Sequence, residues 1–487
     1  MKTQQFTFRS ELPVSVEEAF AWHARPGAFE RLTPPWEPVH VKHRQNGIKD
    51  GAQVELETKI GPLSTSWKVE HLDYIENEQF RDVQLTGPFQ YWDHLHRFEA
   101  IDNGHSRLED RLEFILPGGS LGKMLGKKFI KEKLKQVFQY RHAVTASDLK
   151  AKAHYQTEHQ YIAVSGSHGL VGSQLLALLR TQGHTVRRIV RKNPTPENGD
   201  ILWQPNEDKF HTCTIENLDA VVHLAGESIM GRWTEEKKKK IRQSRVQGTK
   251  ILCEGLAEME NPPKVLVCAS AMGYYGDRGD EVLTEASSKG ENFLAEVAQE
   301  WEEATAPARE AGIRVVNARF GIVLSAAGGA LAQMLPIFQL GGGGRVGSGK
   351  QWMSWITLDD LILGIYHSLL TEELSGPVNL VSPEPVTNQV FTETLAKVVN
   401  RPHWLPAPAA ALKLAMGQMA DELLLASARV IPQRLQQTDY DFRYPELEMA
   451  LRHVLGYRQE MPAGMSLDIT EGTHQPKYET KEAASSF

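Results

Sequence analysis

Three glycines, Gly166, Gly169 and Gly172, stand at G-x-x-G-x-x-G spacing directly after the apolar run Tyr161-Ile-Ala-Val-Ser165. Leucines at 175, 176, 178 and 179 follow, and Gly183-His184 closes that segment before Val186-Arg-Arg-Ile-Val190. The pattern reads as strand, tight turn, helix, second strand. Such a turn lets backbone amides approach a pyrophosphate, and the helix N-terminus adds unpaired donors and partial positive charge. Gly166 suits the turn, Gly169 the close approach and Gly172 the packing of helix on sheet. Ser167, Leu170 and Val171 complete the backbone of the expected dinucleotide site. A glycine-rich turn with no ligand is the plainer alternative, but strand, turn, helix and strand all agree against it.

About 20 residues past such a turn, NAD sites usually carry an acidic residue for the ribose 2′-hydroxyl. This chain has Arg191 and Lys192 there, with no carboxylate until Glu197. Two cations suit a 2′-phosphate, so NADP(H) is expected ahead of NAD(H). The plainer reading makes them the charged end of a strand.

The elements that must hold this turn belong to a long chain. At 487 residues it exceeds one ordinary core and implies two to four domains. Hydrophobic content of 41% and charged content of 24% are those of a globular protein. No apolar run approaches the roughly 20 residues of a membrane helix, and the first residues lack a signal-peptide core. The cytoplasm is therefore the default expectation. Cys213, Cys253 and Cys268 include no C-x-x-C, so no disulfide or zinc site is expected. A net charge of −7 argues against a nucleic-acid partner.

Residues 1–150 read as a separate α+β domain. A strand over Gln5–Arg9 leads to helices near Val16–Trp22 and Pro26–Leu32, then to alternating segments such as Trp92–Phe98 and Leu108–Phe114. After Pro117-Gly-Gly119, a helix from about Ser120 to Lys150 carries Leu121, Leu125, Phe129, Leu134 and Phe138 on its apolar side. His94 and His96 share one face of a strand, but no third ligand with suitable spacing stands out. They read as packed or cavity-lining histidines, and no metal is expected. Lysines at 123, 127, 128, 131, 133 and 135 read as the wet side of the helix in preference to an anion-binding face.

Residues 151–158 are polar and unpatterned, a linker. Apolar runs Ala220–Leu224, Lys264–Cys268 and Arg314–Ala318 alternate with helical segments across 159–400. That alternation predicts a Rossmann-type parallel sheet with helices on both faces. A small helical region is expected over 401–460. The stretch 461–487, polar from Gly472 onward, is expected to be a disordered tail.

The order of elements in residues 1–150, with His94-Leu-His96-Arg-Phe98 and Phe138-Gln-Tyr140-Arg141, resembles the START/Bet v 1-like helix-grip superfamily. That resemblance implies an apolar ligand between sheet and helix. Residues 160–400 resemble extended short-chain dehydrogenase/reductases of the NAD-dependent epimerase/dehydratase superfamily. The landmarks are Leu224-Ala225-Gly226, Ser270-Ala-Met-Gly-Tyr274, Arg319-Phe-Gly-Ile-Val-Leu324 and Trp355-Ile-Thr-Leu-Asp359-Asp360. With Gly231-Arg-Trp233, Ser244-Arg-Val246, Trp301-Glu302, Gly341–Gly344 and the 404–457 region, the chain resembles the atypical "epimerase family" subgroup that carries a C-terminal domain of unknown function.

The resemblance implies that Leu224, Ala225 and Gly226 pass beneath the cofactor, that Ser270 bonds a substrate carbonyl and that Arg319 lies near the nicotinamide. Tyr274 is expected to reach the same space; Glu227 and Arg232 read either as an acid and a base at the mouth or as ordinary loop charges, and Lys350 with Arg345 either as a site for an anionic substrate group or as a solvent-exposed loop. Yet the chain contains no Tyr-x-x-x-Lys, the family's usual acid/base pair, and Arg245 stands where an asparagine is common. Two readings stay open. One is an NADP-dependent oxidoreductase or epimerase-like enzyme with a non-standard acid/base set; the other is a non-catalytic NADP-binding sensor or regulatory protein.

Overall fold

The computed structural model describes residues 3–45, 47–60, 63–116, 120–195, 197, 199–207, 209–210, 217–457, 461 and 464–472. They form two compact units, one from Met1–Gln156, Thr181–Gly183 and Arg458–Phe487, the other from Thr157–Arg180 and His184–Tyr457.

The first unit is an antiparallel sheet wrapped against helices. Its strands are β1 (Thr3–Leu12), β2 (His40–Arg44), β3 (Gln53–Ile60), β4 (Leu63–Ile75), β5 (Gln79–Thr86), β6 (Tyr91–Ala100) and β7 (Ser106–Ile115). Their order is β2-β3-β4-β5-β6-β7-β1, extended by a strand at Met465–Gly472. Between β1 and β2 lie α1 (Val16–Ala24) and α2 (Ala28–Leu32). Ser15 caps α1 by accepting from the Glu18 amide, and Glu17 and Glu18 complement the helix dipole in the first turn. The long helix α3 (Ser120–Tyr155) closes the unit. Leu134 and Phe138 of α3 are buried with Phe6, Phe8, Leu112 and Phe114 of the sheet. The Phe138 ring stacks on Phe8 at 5.1 Å between centroids.

Three expectations change here. Phe129 is 67% exposed instead of lying on the apolar side of α3, since the helix buries only the stripe that faces β1 and β7. The side chains of Leu121 and Leu125, with Lys123 and Lys127, lie outside the described residues, as do Pro117–Gly119 and Cys213. Most of the expected linker, through Tyr155, is the last turn of α3. Within the expected disordered tail, Met465–Gly472 pairs antiparallel with β1 from Thr3↔Gly472 to Ser10↔Met465. Its backbone donors and acceptors satisfy the open edge of β1, which polar composition alone does not disclose. Residues 473–487 lie outside the described residues.

The second unit is a parallel sheet with helices between its strands. It comprises β8 (Tyr161–Ser165), α4 (Leu170–Thr181), β9 (Thr185–Val190), β10 (Ile201–Gln204), β11 (Lys209–Phe210), β12 (Ala220–His223), α5 (Glu235–Ala257), β13 (Val265–Ala271) and α6 (Phe293–Glu303). The order runs β11-β10-β9-β8-β12-β13, then the strands Arg314–Phe320 and Gly376–Leu380. Strand order reverses between β8 and β12, and that switch point opens a crevice beyond the strands' C-terminal ends. Ile162, Ala163, Val164, Val221 and Val222 are fully buried, as a sheet covered on both faces requires.

Thr357 caps the helix Leu358–Leu370 by accepting from the Asp360 amide. The Asp360 carboxylate accepts from the amides of Arg443 and Tyr444 (2.9 and 3.1 Å), and Asp359 pairs with His453 at 2.8 Å. The two carboxylates pin the C-terminal helical region to the start of that helix.

Two buried features test this packing. The Arg31 guanidinium makes two 2.9 Å bonds to Asp148, with side chains 1% and 0% exposed. Asp148→Ala removes that carboxylate, and urea unfolding of the first unit followed by tryptophan fluorescence should show a loss of about 3–5 kcal/mol. His223 is fully buried at the end of β12, and burial lowers its pKa from 6.5 to about 4. The unfolded chain therefore takes up a proton that the folded chain refuses. Stability from this group is complete above pH 6.5 and falls by about 3 kcal/mol as pH drops toward 4. In His223→Leu the slope of stability against pH in that window should lessen by about one proton.

Candidate functional site

Gly166 leaves β8 with φ +67°, a left-handed turn that favours glycine. A Cβ there would lie 2.7 Å from the Leu224 carbonyl carbon, and one at Gly172 only 2.3 Å from the Gly166 oxygen. The Gly169 amide donates to Gly166 O at 2.9 Å, closing the turn onto the first residues of α4. Beneath it, Ser165 Oγ accepts from the amides of Leu224 (3.0 Å) and Ala225 (3.3 Å). Its own proton then goes to His223 Nδ1, 2.7 Å away. This serine ties the ends of β8 and β12 together at the switch point.

A cavity of about 1110 Å³ opens over the turn. Gly166, Ser167 and Gly169 line it from β8, Arg191 and Lys192 from the end of β9, and Leu224, Ala225, Gly226 and Glu227 from the end of β12. Leu170, Val171 and Gly172 form the start of α4 behind the turn and are not among its lining. Arg191 and Lys192 are exposed. Sequence reasoning missed Trp203 of β10 and Lys240, Ser244 and Gln247 of α5, which also line it. The sign was present in the polar face of α5 recurring at 240, 244 and 247.

Helix α5 also grips the loop after β12. Ser244 Oγ accepts from the Glu227 amide at 3.0 Å, and Arg245 donates to the Glu227 carbonyl at 3.0 Å. Burial lowers the Arg245 pKa to about 10. The Glu227 carboxylate pairs with Lys237 at 2.8 Å, and that hydrogen bond holds its pKa below the usual carboxylate range. Arg232, Arg345 and Lys350 are exposed on loops and do not line the cavity.

One strand farther along the sheet, the expected chemistry is occupied by internal bonds. Ser270, 3% exposed, donates to Glu302 Oε1 at 2.7 Å. Arg319 holds the same carboxylate with two 2.7 Å bonds, and its Nη1 donates to the Tyr275 hydroxyl at 2.9 Å. Tyr275, with no exposed surface, donates in turn to Asn379 Oδ1 at 2.7 Å. Burial pushes the Tyr275 pKa up to about 12. Ser270 and Arg319 are thus interior members of an ion-pair network, outside the cavity lining. Tyr274 is likewise outside that lining, but it is half-buried, with the Arg319 guanidinium 3.6 Å over its ring. No described side chain bonds its hydroxyl. Glu302 was quoted in the sequence only as a landmark; its role follows from α6 lying against β13.

Cys253 and Cys268 are buried and unpaired, and burial raises both thiols. In the first unit, the donor that the sequence did not show beside His94 and His96 is Asp82 of β5. Burial opposes protonation of His94, but the Asp82 and Asp110 carboxylates outweigh it and raise its pKa to about 9.

Comparison with known proteins places these parts. Residues 162–380 match the NAD dependent epimerase/dehydratase family, 407–454 a domain of unknown function, and 12–139 the polyketide cyclase/dehydrase and lipid transport family. An epimerase family protein of Mycobacterium bovis is 42% identical over 302 residues, covering 62% of this chain and 98% of that protein. The chloroplastic SDR39U1 homolog of Arabidopsis thaliana is 37% identical, covering 60% and 86%. A solved structure described as a nucleoside-diphosphate sugar epimerase from Corynebacterium glutamicum superimposes with TM-score 0.76 at 35% identity, covering 93% of this chain and 90% of that one. Human epimerase family protein SDR39U1, crystallised with NADPH, gives 0.56 at 31% identity, covering 61% and 99%. The glycine turn at the switch point, the C-terminal helical region and relatives matched almost end to end agree, and the chain belongs to the NAD-dependent epimerase/dehydratase family.

Proposed function

We propose that this chain is an NADP(H)-dependent oxidoreductase or epimerase-like enzyme acting on a carbonyl or hydroxyl substrate without a Tyr-x-x-x-Lys pair. The observation that carries the reading is the switch-point cavity, floored by Gly166–Gly169 and walled by Arg191 and Lys192. The glycines fit the group, since a Cβ at 166 or 172 would collide with backbone. The amides of 166–169 and the start of α4, with Leu170, Val171 and Gly172, hold the diphosphate. Arg191 and Lys192 meet the 2′-phosphate, and Leu224–Gly226 form the bed on which the nucleotide lies. NADPH in the crystallised human relative supports the same cofactor.

When bound, the nicotinamide supplies or accepts a hydride. The chain's own residues hold the proton. Tyr274 follows the C-terminal end of β13, on the edge of the sheet where the glycine turn and the 224–227 loop also lie. With its hydroxyl not taken up by a described side chain and its ring fixed by Arg319, it is the group that exchanges a proton with substrate. Ser270 acts as a positioning residue by keeping Glu302 and Arg319 aligned, and Glu227, which lines the cavity, borders the substrate entrance.

A second reading is favoured by one feature, the internal use of Ser270, Arg319 and Tyr275. On it, the nucleotide is a regulatory ligand and the first unit the binding module. Its cavity, lined in part by Ile48, Leu56, Phe80 and Trp92, takes a small apolar molecule.

Calorimetry should show NADPH binding at micromolar concentration, and Arg191→Glu should weaken NADPH at least tenfold more than NADH; equal losses overturn the 2′-phosphate assignment. NADPH oxidation against aldehydes, ketones and quinones, with product analysis of nucleotide sugars, tests turnover. Tyr274→Phe should lower kcat at least about 100-fold while leaving the NADPH Kd unchanged. Micromolar NADPH binding with no turnover across the panel selects the regulatory reading.

A further inference from the structure

The first unit holds a buried cluster that the nucleotide site does not use. Antiparallel register sets Asp82 of β5 directly opposite His94 of β6, and His96 of β6 opposite Asp110 of β7. Directly opposed residues share a sheet face, so these four side chains meet on the side where α3 packs. Asp82 Oδ1 lies 3.2 Å from His94 Nδ1 and 3.2 Å from His96 Nε2. The other ring nitrogens face the second carboxylate, with His96 Nδ1 at 2.7 Å and His94 Nε2 at 3.4 Å from Asp110 Oδ1.

Those two carboxylates perform different tasks. Asp110 is 4% exposed, and its other oxygen lies 3.1 Å from His142 Nε2, a ring whose Nδ1 is 2.6 Å from Ser10 Oγ. Metal binding displaces the proton on the ring nitrogen that faces Asp82, while the nitrogen that faces Asp110 keeps its own. The two nitrogens so freed both lie beside Asp82 Oδ1. Trp92 Nε1 donates to the other oxygen, Asp82 Oδ2, at 3.2 Å, which leaves Oδ1 as the single acceptor on that side. A cation with bonds of about 2.0–2.1 Å in tetrahedral geometry separates its donor atoms by roughly 3.3 Å. The two Asp82–histidine separations match that edge, and all three donor atoms lie within 4.8 Å of one another.

We propose that Asp82, His94 and His96 bind one divalent first-row transition-metal ion, with Asp110 as the partner that orients both imidazoles. Two histidines and one carboxylate leave coordination positions open. The open side faces a cavity of about 130 Å³, lined also by His71, Trp67 and Arg141, so a small oxygen-donor ligand reaches the ion from there. Arg141, on the same wall, supplies a fixed positive charge for an anionic oxygen on that ligand. The proposal is independent of the nucleotide site.

The test uses full-length, tag-free protein stripped with chelator. Calorimetric titration with Zn²⁺ should give one ion per chain at micromolar Kd or tighter. Titration with Co²⁺ should give visible d–d bands without the thiolate charge-transfer absorption of cysteine ligation. Asp82→Ala and His94→Ala should each abolish the Co²⁺ bands, and Asp110→Asn should weaken Zn²⁺ about 10- to 100-fold. Near-UV circular dichroism and NADPH binding should be unchanged in each. Should His94→Ala misfold, Asp82→Ala decides, because its side chain, 15% exposed, is less buried than either histidine. No stoichiometric Zn²⁺ binding in the native chain overturns the proposal, as does undiminished binding in Asp82→Ala.

Discussion

The close approach of α4 to the end of β8 governs the second unit. Between Gly172 and the Gly166 oxygen there is no room even for one methyl carbon. Because the helix begins that near the sheet, its N-terminal amides face the crevice where strand order reverses. Ser165 then binds the loop of the next strand to the same spot, so the two halves of the nucleotide bed hold a fixed separation. A looser helix would still permit a parallel sheet, but the crevice would lose its floor.

Farther along the sheet edge, Glu302 organises the side chains around the end of β13. Its carboxylate accepts from Ser270 and twice from Arg319, and Arg319 reaches both tyrosines of the 272–275 turn. A desolvated guanidinium requires such a partner, since a buried charge without one is far costlier than a paired one. The network therefore fixes the position of Tyr274 by electrostatic necessity.

Local signals in the chain disclosed what local physics determines. The glycine turn, the cationic strand end and the alternating strands were legible because each depends on residues adjacent in sequence. Partnerships across strands were not. Asp82 lies 12 residues before His94, and only the β5–β6 register brings them together. Asp110 did leave a sign, being a charged residue on the same phase as Leu108, Leu112 and Phe114. Ser270 and Arg319 were legible as landmarks through family resemblance, but their mutual dependence on Glu302 is a tertiary fact. Phe129 misled because helical periodicity identifies a stripe without saying how far a partner surface extends.

The pairing of Thr3–Leu12 with Met465–Gly472 has a consequence for biosynthesis. A ribosome delivers those two segments more than 450 residues apart, and the whole parallel-sheet unit emerges in between. Until the later segment arrives, β1 presents a row of unbonded amides and carbonyls to any extended peptide nearby. Nascent chains thus carry a temporarily adhesive border, one that domain exchange between neighbouring copies or chaperone capture would exploit, and emergence of Met465–Gly472 is the event that seals it.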